Sequence, residues 1–100
     1  MAEEECPMYR FCKVVRSKWG SIIVNSLLKN EELGFNELLR TLKANPKTLS
    51  DKLRLLERNS LIRRRVVEER PVRGMYSLTP KGKEASEISD YLSNWFKKFE

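Results

Sequence analysis

Residues 45–58, NPKTLSDKLRLLER, constrain this chain more than any other stretch. Asn45 is a strong helix N-cap, and Pro46 suits the first helical position, where a missing N–H costs nothing. Leu49, Leu53 and Leu56 follow at i, i+4 and i+7, which lays three leucines along one helical face. Lys47, Asp51, Arg54 and Arg58 fall opposite them, with Thr48 and Ser50 on the flanks. The predicted helix is about 21 Å long. One side is apolar and the other is crowded with hydrogen-bonding groups. Most such faces are merely solvated, so its meaning depends on what surrounds it.

What surrounds it is basic. Twenty Lys and Arg against fourteen Asp and Glu give a net charge of +6, and much of the excess lies between Lys43 and Arg73. A clustered basic stripe is the footprint of a polyanion partner. The basic residues fall in several elements rather than one amphipathic helix, which argues against a membrane surface. No run of apolar residues is long enough to span a bilayer. The N-terminus MAEEEC is acidic and lacks a signal-peptide core, so a cytoplasmic protein is expected. Histidine is absent, which removes the commonest general base and metal ligand together. No zinc pattern and no glycine-rich phosphate loop is present, so neither an enzyme nor a cofactor is expected. Cys6 and Cys12, if both on one helix, stand about 9 Å apart along its axis. That exceeds the reach of a disulfide.

One hundred residues suit one domain. From Pro7 a first helix is expected, with Met8, Phe11, Cys12 and Val15 on one side and Tyr9, Lys13 and Arg16 on another. Lys18, Trp19 and Gly20 read as a break, with Trp19 a core residue at the junction. A second helix over residues 21–29 should bury Ile22, Ile23, Leu27 and Leu28. Residues 30–34, NEELG, read as a polar turn, and Asn36 as the cap of a short helix to Leu42. Leu38, Leu39 and Leu42 face inward in that helix, and Lys43 and Ala44 form a short corner before Asn45.

After Asn59 and Ser60, residues 62–68 and 72–78 alternate as two strands around a turn at Pro71, with Gly74 weakening the second. Arg63, Arg64, Arg65, Arg70 and Arg73 place five guanidinium groups in this hairpin. Each can bond two phosphate oxygens at once. Thr79 and Pro80 repeat the cap-then-proline start, and a helix runs to the C-terminus. Ala85, Ile88, Leu92, Trp95 and Phe99 form a heptad-like seam, widened by Tyr91 and Phe96. Part of that stripe is expected to pack at home. The aromatic end, Trp95 to Phe99, should meet a second subunit, since so much apolar surface is not left wet.

Helix, corner, helix and basic hairpin is the order of a winged helix-turn-helix. The fold expected is therefore mainly α with a small β-hairpin, in one domain over residues 1–100. Its parts are N-terminal helices at 6–29, the helix-turn-helix at 35–58, the wing at 61–78 and a dimerisation helix at 79–100. Lys47, Thr48, Ser50, Asp51 and Arg54 are then expected to face base edges in the major groove. Arg58 and the hairpin arginines are expected to hold phosphates, which fixes register without reading sequence. The alternative is a winged-helix module that docks on a protein, its arginines meeting acidic residues.

The quoted residues also resemble the HxlR-type subgroup of MarR-like regulators. Cys6–Pro7 followed by Lys18–Trp19 is similar to that family's CP…GKW signature, and FNEL at 35–38 to its RFxEL. KTLSDKLRLL at 47–56 is similar to KxLSxRLxxL, and YSLTPKG at 76–82 to YxLTxxG. The chain departs from the pattern at Arg16–Ser17, where Gly-Gly is usual, and at Gly74–Met75, where Val-Glu is typical. Pro71 also lacks a second proline beside it. The resemblance implies a homodimer on a pseudo-palindromic operator of double-stranded DNA, with Met8, Phe11, Ile88, Leu92, Trp95, Phe96 and Phe99 at the interface. It further implies a small-molecule or redox effector, because the counterpart of Cys6 answers oxidants or electrophiles in several members. A helix start lowers a thiol pKa, whereas the three preceding glutamates oppose a thiolate. Cys12 is expected in the core.

Overall fold

The computed structural model describes residues 6–67 and 73–100, the side chain of Arg73 excepted. Expectations for the first five residues and for Glu68, Arg70, Pro71 and Val72 fall outside the described residues. Among the described residues, five helices and a three-stranded antiparallel sheet follow in the order α1 (Pro7–Val15), α2 (Lys18–Lys29), β1 (Leu33–Gly34), α3 (Phe35–Leu42), α4 (Pro46–Arg58), β2 (Ile62–Val67), β3 (Arg73–Leu78) and α5 (Pro80–Lys98). The expected mainly α architecture with a basic hairpin is what the chain forms.

Local chemistry sets most boundaries. Asn45 caps α4 through its side-chain oxygen, which accepts from Lys47 N–H at 2.8 Å and Thr48 N–H at 3.4 Å. Lys43, at φ 53°, ends α3 in the left-handed region and turns the chain toward α4. Ser60, at φ 62°, does the same after α4, and Leu61 N–H bonds back to Leu56 O at 3.0 Å. Thr79 has two roles. Its hydroxyl accepts from Gly82 N–H at 3.0 Å, capping α5, and donates to Ser60 O at 2.6 Å, tying α5 to the end of α4. Gly82 is required there, since a Cβ would lie 2.1 Å from Leu61 O.

The core is built around α2, which packs on α1, α3, α4, α5 and β3. Ile23, Leu38, Leu49, Leu53 and Leu56 are fully buried at its centre. Burying each such side chain is worth about 1.5–3 kcal/mol, so the three α4 leucines alone fix which face of that helix turns outward. Val14, Val15, Val24, Leu27, Leu61, Ile62, Tyr76, Leu78 and Ala85 complete the cluster.

Several expectations need correction. Lys18, Trp19 and Gly20 are not a break but the first turn of α2, because Ser17 Oγ caps it by accepting Gly20 N–H at 3.1 Å. Trp19 is half-buried, with Lys18 Nζ 5.4 Å above its ring, and is not among the core residues. Leu28 is 49% exposed, because α2 buries the face carrying Ile23, Val24 and Leu27. Cys12 is exposed, because α1 turns Val14 and Val15 inward instead. The short helix starts at Phe35, not after Asn36. Gly34 is its N-cap, and Glu37 reaches back to accept Gly34 N–H at 3.1 Å. The NEELG turn also contains a strand: Leu33 pairs with Tyr76 and Gly34 with Met75, giving the sheet order β1-β3-β2.

Helix α5 divides its surface in an unexpected way. The side packed at home carries Gly82, Ala85, Ser86 and Ser89, and Arg16 donates to Ser89 Oγ at 2.8 Å. Small residues allow that close packing. Of the heptad-like seam only Ala85 is buried and Leu92 half-buried. Ile88 is 51% exposed, Trp95 52%, Phe96 69% and Phe99 71%.

Candidate nucleic-acid interface

Because Leu49, Leu53 and Leu56 are pinned in the core, α4 must turn Lys47, Asp51, Arg54 and Arg58 to solvent, and all four are exposed. Thr48 and Ser50 are half-buried on the flanks, so of the expected base contacts they stand lowest. Lys47 Nζ and Asp51 Oδ2 pair at 3.3 Å along the helix. An exposed pair of this kind contributes a few tenths of a kcal/mol and is readily exchanged for another partner. The exposed face therefore offers cationic donors at Lys47, Arg54 and Arg58, one carboxylate at Asp51 and two flanking hydroxyls.

The hairpin sorts its arginines by strand alternation. Ile62 pairs with Leu78 and Arg64 with Tyr76, which puts Arg64 on the sheet face that carries the core residues. Beyond the core's edge the Arg64 side chain crosses Gly74, where an added Cβ would stand 2.7 Å from its Nε. Arg63 and Arg65 point to the other face. Arg63 and Arg64 are both exposed. Arg65, also exposed, differs from them in having a partner within the protein. Its Nε and Nη2 donate to Glu32 Oε2 at 2.9 Å and Oε1 at 2.7 Å, so the carboxylate already holds its fork. The guanidinium beside it holds the Glu32 carboxyl below the usual range, and Glu32 in turn raises Arg65. Arg73 is described in its backbone, in the pair Val67–Arg73, and Arg70 lies outside the described residues. No residue pattern announced Glu32. It sits in a polar run before a two-residue strand, too short to show periodicity.

Cys6 is the N-cap of α1 and is exposed. The backbone N–H groups of Tyr9 and then Met8, in the first turn of α1, lower its thiol pKa. Between α1, the end of α4 and the start of α5 lies an open cleft of about 380 Å³, lined by Arg10, Phe11, Val14, Leu61 and Lys81 among others. Among the described residues no group of acids and cysteines could hold a metal ion, and no helix is long and apolar enough to cross a membrane.

A short corner, a leucine-backed helix with a polar outer face and a basic antiparallel hairpin together define a winged helix-turn-helix protein, the class whose second helix enters the major groove of DNA. The chain belongs to the HxlR-like helix-turn-helix family, whose model matches residues 14–100. It is 34% identical over 94 residues to the HTH-type transcriptional regulator YvaP of Bacillus subtilis, covering 92% of this chain and 86% of that protein. Among solved structures it is similar to the reduced form of the regulator YodB from the same species, with a TM-score of 0.80 and 28% identity over 96% of this chain and 95% of that one. The oxidised form of the redox regulator HypR aligns with a TM-score of 0.76 and 26% identity, over 93% of this chain and 96% of that one. The chain is thus a helix-turn-helix transcriptional regulator.

Proposed function

We propose that the protein is a dimeric, sequence-specific DNA-binding regulator acting on a pseudo-palindromic operator in the cytoplasm, without catalytic activity. The observation that carries this reading is the outer face of α4, where Lys47, Asp51, Arg54 and Arg58 are exposed because the three leucines behind them are not. Lys47, Asp51 and Arg54, flanked by Thr48 and Ser50, read base edges, each good bidentate pair giving about 1–3 kcal/mol of discrimination. Arg58, Arg63 and Arg64, with Arg70 and Arg73 further along the hairpin, hold phosphates. The exposed aromatic end of α5 and Met8 and Phe11 of α1 supply the dimer interface. Its two-fold axis sets two α4 helices roughly 34 Å apart, one turn of duplex.

The effector reading rests on Cys6. An exposed thiol with a lowered pKa is the more reactive kind, and oxidation or alkylation at a helix start would add bulk beside α1. That a relative of similar fold is a redox regulator supports the same direction. The test is selection by the purified protein from a random duplex pool, repeated after thiol oxidation. A palindromic motif is expected, and its affinity should change on oxidation. A protein-docking winged helix would return no motif.

A further inference from the structure

The pair between Glu32 and Arg65 has no role in the reading above, yet it is the best-formed ion pair among the described residues. We propose that Glu32 is a positioning residue for DNA binding: it holds Arg65 as a strut that sets the angle of the wing against the helix-turn-helix. The inference rests on the DNA-binding reading of α4 and the hairpin.

Register carries it. Strand β1 contributes only the pairs Leu33–Tyr76 and Gly34–Met75, while Arg65 stands opposite Met75 on the other side of β3. The three strands are therefore abreast at Met75, and beyond it the hairpin continues as two strands, through Val66–Gly74 and Val67–Arg73. That outer part is a cantilever. Glu32 precedes Leu33, so it lies on the body side of the Met75 level, and Arg65 reaches back across β3 to meet it, away from the hairpin tip. Both guanidinium bonds, at 2.9 and 2.7 Å, join one edge strand to the segment leading into the other. That segment is rigidly connected to the first helix of the helix-turn-helix. Gly34 is the N-cap of α3, and Glu37 of that helix accepts its N–H. A two-pair strand is a weak hinge by itself, and the planar fork of Arg65 on both carboxylate oxygens removes the freedom it leaves. With its charge already matched, Arg65 adds little to the attraction for a polyanion.

Glu32→Gln, Arg65→Gln and the exchange Glu32→Arg/Arg65→Glu test this against wild type. The probe is a duplex that wild type selects from a random pool, titrated from about 50 to 200 mM salt, together with amide hydrogen exchange of the free proteins. Each single variant should bind about 2- to 5-fold more weakly, with an unchanged slope of log affinity on log salt. The Gly74 and Met75 amides should exchange faster, and the double exchange should recover both properties. Tighter binding by Glu32→Gln with a steeper slope would show Glu32 merely competing with phosphate, and overturn the strut. So would a slope about one unit shallower in Arg65→Gln, unchanged amide exchange in Glu32→Gln, or a double exchange that recovers neither property. If wild type selects no motif, the DNA-binding reading fails, and the amide exchange of the free proteins alone decides the strut.

Discussion

Leu53 and Arg54 are neighbours in sequence and opposites in α4, so they separate folding from reading in one comparison. Leu53 is 1% exposed and packed among the buried residues that α4 sets against α2 and β2. Truncation to alanine removes buried methyl groups and leaves a cavity, at a cost of about 2–5 kcal/mol. At about 4–8 °C per kcal/mol for a domain of this size, the thermal midpoint should fall by at least ~8 °C. Arg54 is exposed, so Arg54→Ala should change stability by no more than ~0.5 kcal/mol. It should weaken binding to the selected duplex by about 1–3 kcal/mol, or roughly 5- to 150-fold, and relax preference at one base pair of each half-site. Urea melts at fixed protein concentration and fluorescence anisotropy on a labelled duplex give the two numbers. The reasoning fails if Arg54→Ala unfolds as readily as Leu53→Ala, or if it binds the selected site and its base-pair variants as wild type does.

Four further outcomes are expected. Gly82→Ala should destabilise by about 1–3 kcal/mol or more in urea melts, since its Cβ meets the Leu61 carbonyl and backbone must shift. A neutral result there would mean that α5 does not sit as closely on Leu61 as described. The Glu32 carboxyl is held below its ordinary range by Arg65, so its contribution is complete above that range and is lost as pH falls through the lowered folded value. The urea midpoints of wild type and Glu32→Gln should accordingly converge in acid, and a gap that widened there would reverse the sign. Cys6 should be alkylated by iodoacetamide faster than Cys12 at neutral pH, because backbone N–H groups favour its thiolate; equal rates, read by mass spectrometry, would remove the helix-start effect. Trp95→Ala should raise the dimer dissociation constant in sedimentation while leaving helix content unchanged, and an unaltered dimer would move the interface elsewhere.

Sequence was most legible where one residue type has one strong job. Asn45–Pro46 and Thr79–Pro80 marked two helix starts correctly, and the leucine spacing of α4 picked out the face that is buried. It was least legible where packing is done by small groups. Helix α5 looks like an aromatic seam by hydrophobicity, yet the side it buries is Gly82, Ala85, Ser86 and Ser89, because close approach favours residues that periodicity of large apolar side chains ignores. Cys12 and Leu28 went astray on short helices where two apolar arcs compete and tertiary contacts choose between them. Strand β1 left no signal at two residues, and Glu32 gains its partner only when β3 brings the two edges of the sheet together. The outer face of α4 could be named in advance, whereas which hairpin arginine meets Glu32 needed strand register.

Three bonds sew the start of α5 to the end of α4: Thr79 N–H to Leu61 O at 3.1 Å, Thr79 Oγ1 to Ser60 O at 2.6 Å and Lys81 Nζ to Asn59 O at 2.8 Å. In a dimer assembled on the far half of α5, that seam would make the long helix a lever with its fulcrum beside the rod that carries the exposed face of Lys47, Asp51 and Arg54. A tilt of a few degrees between the two levers would alter how far apart the rods stand, with no rearrangement inside either subunit.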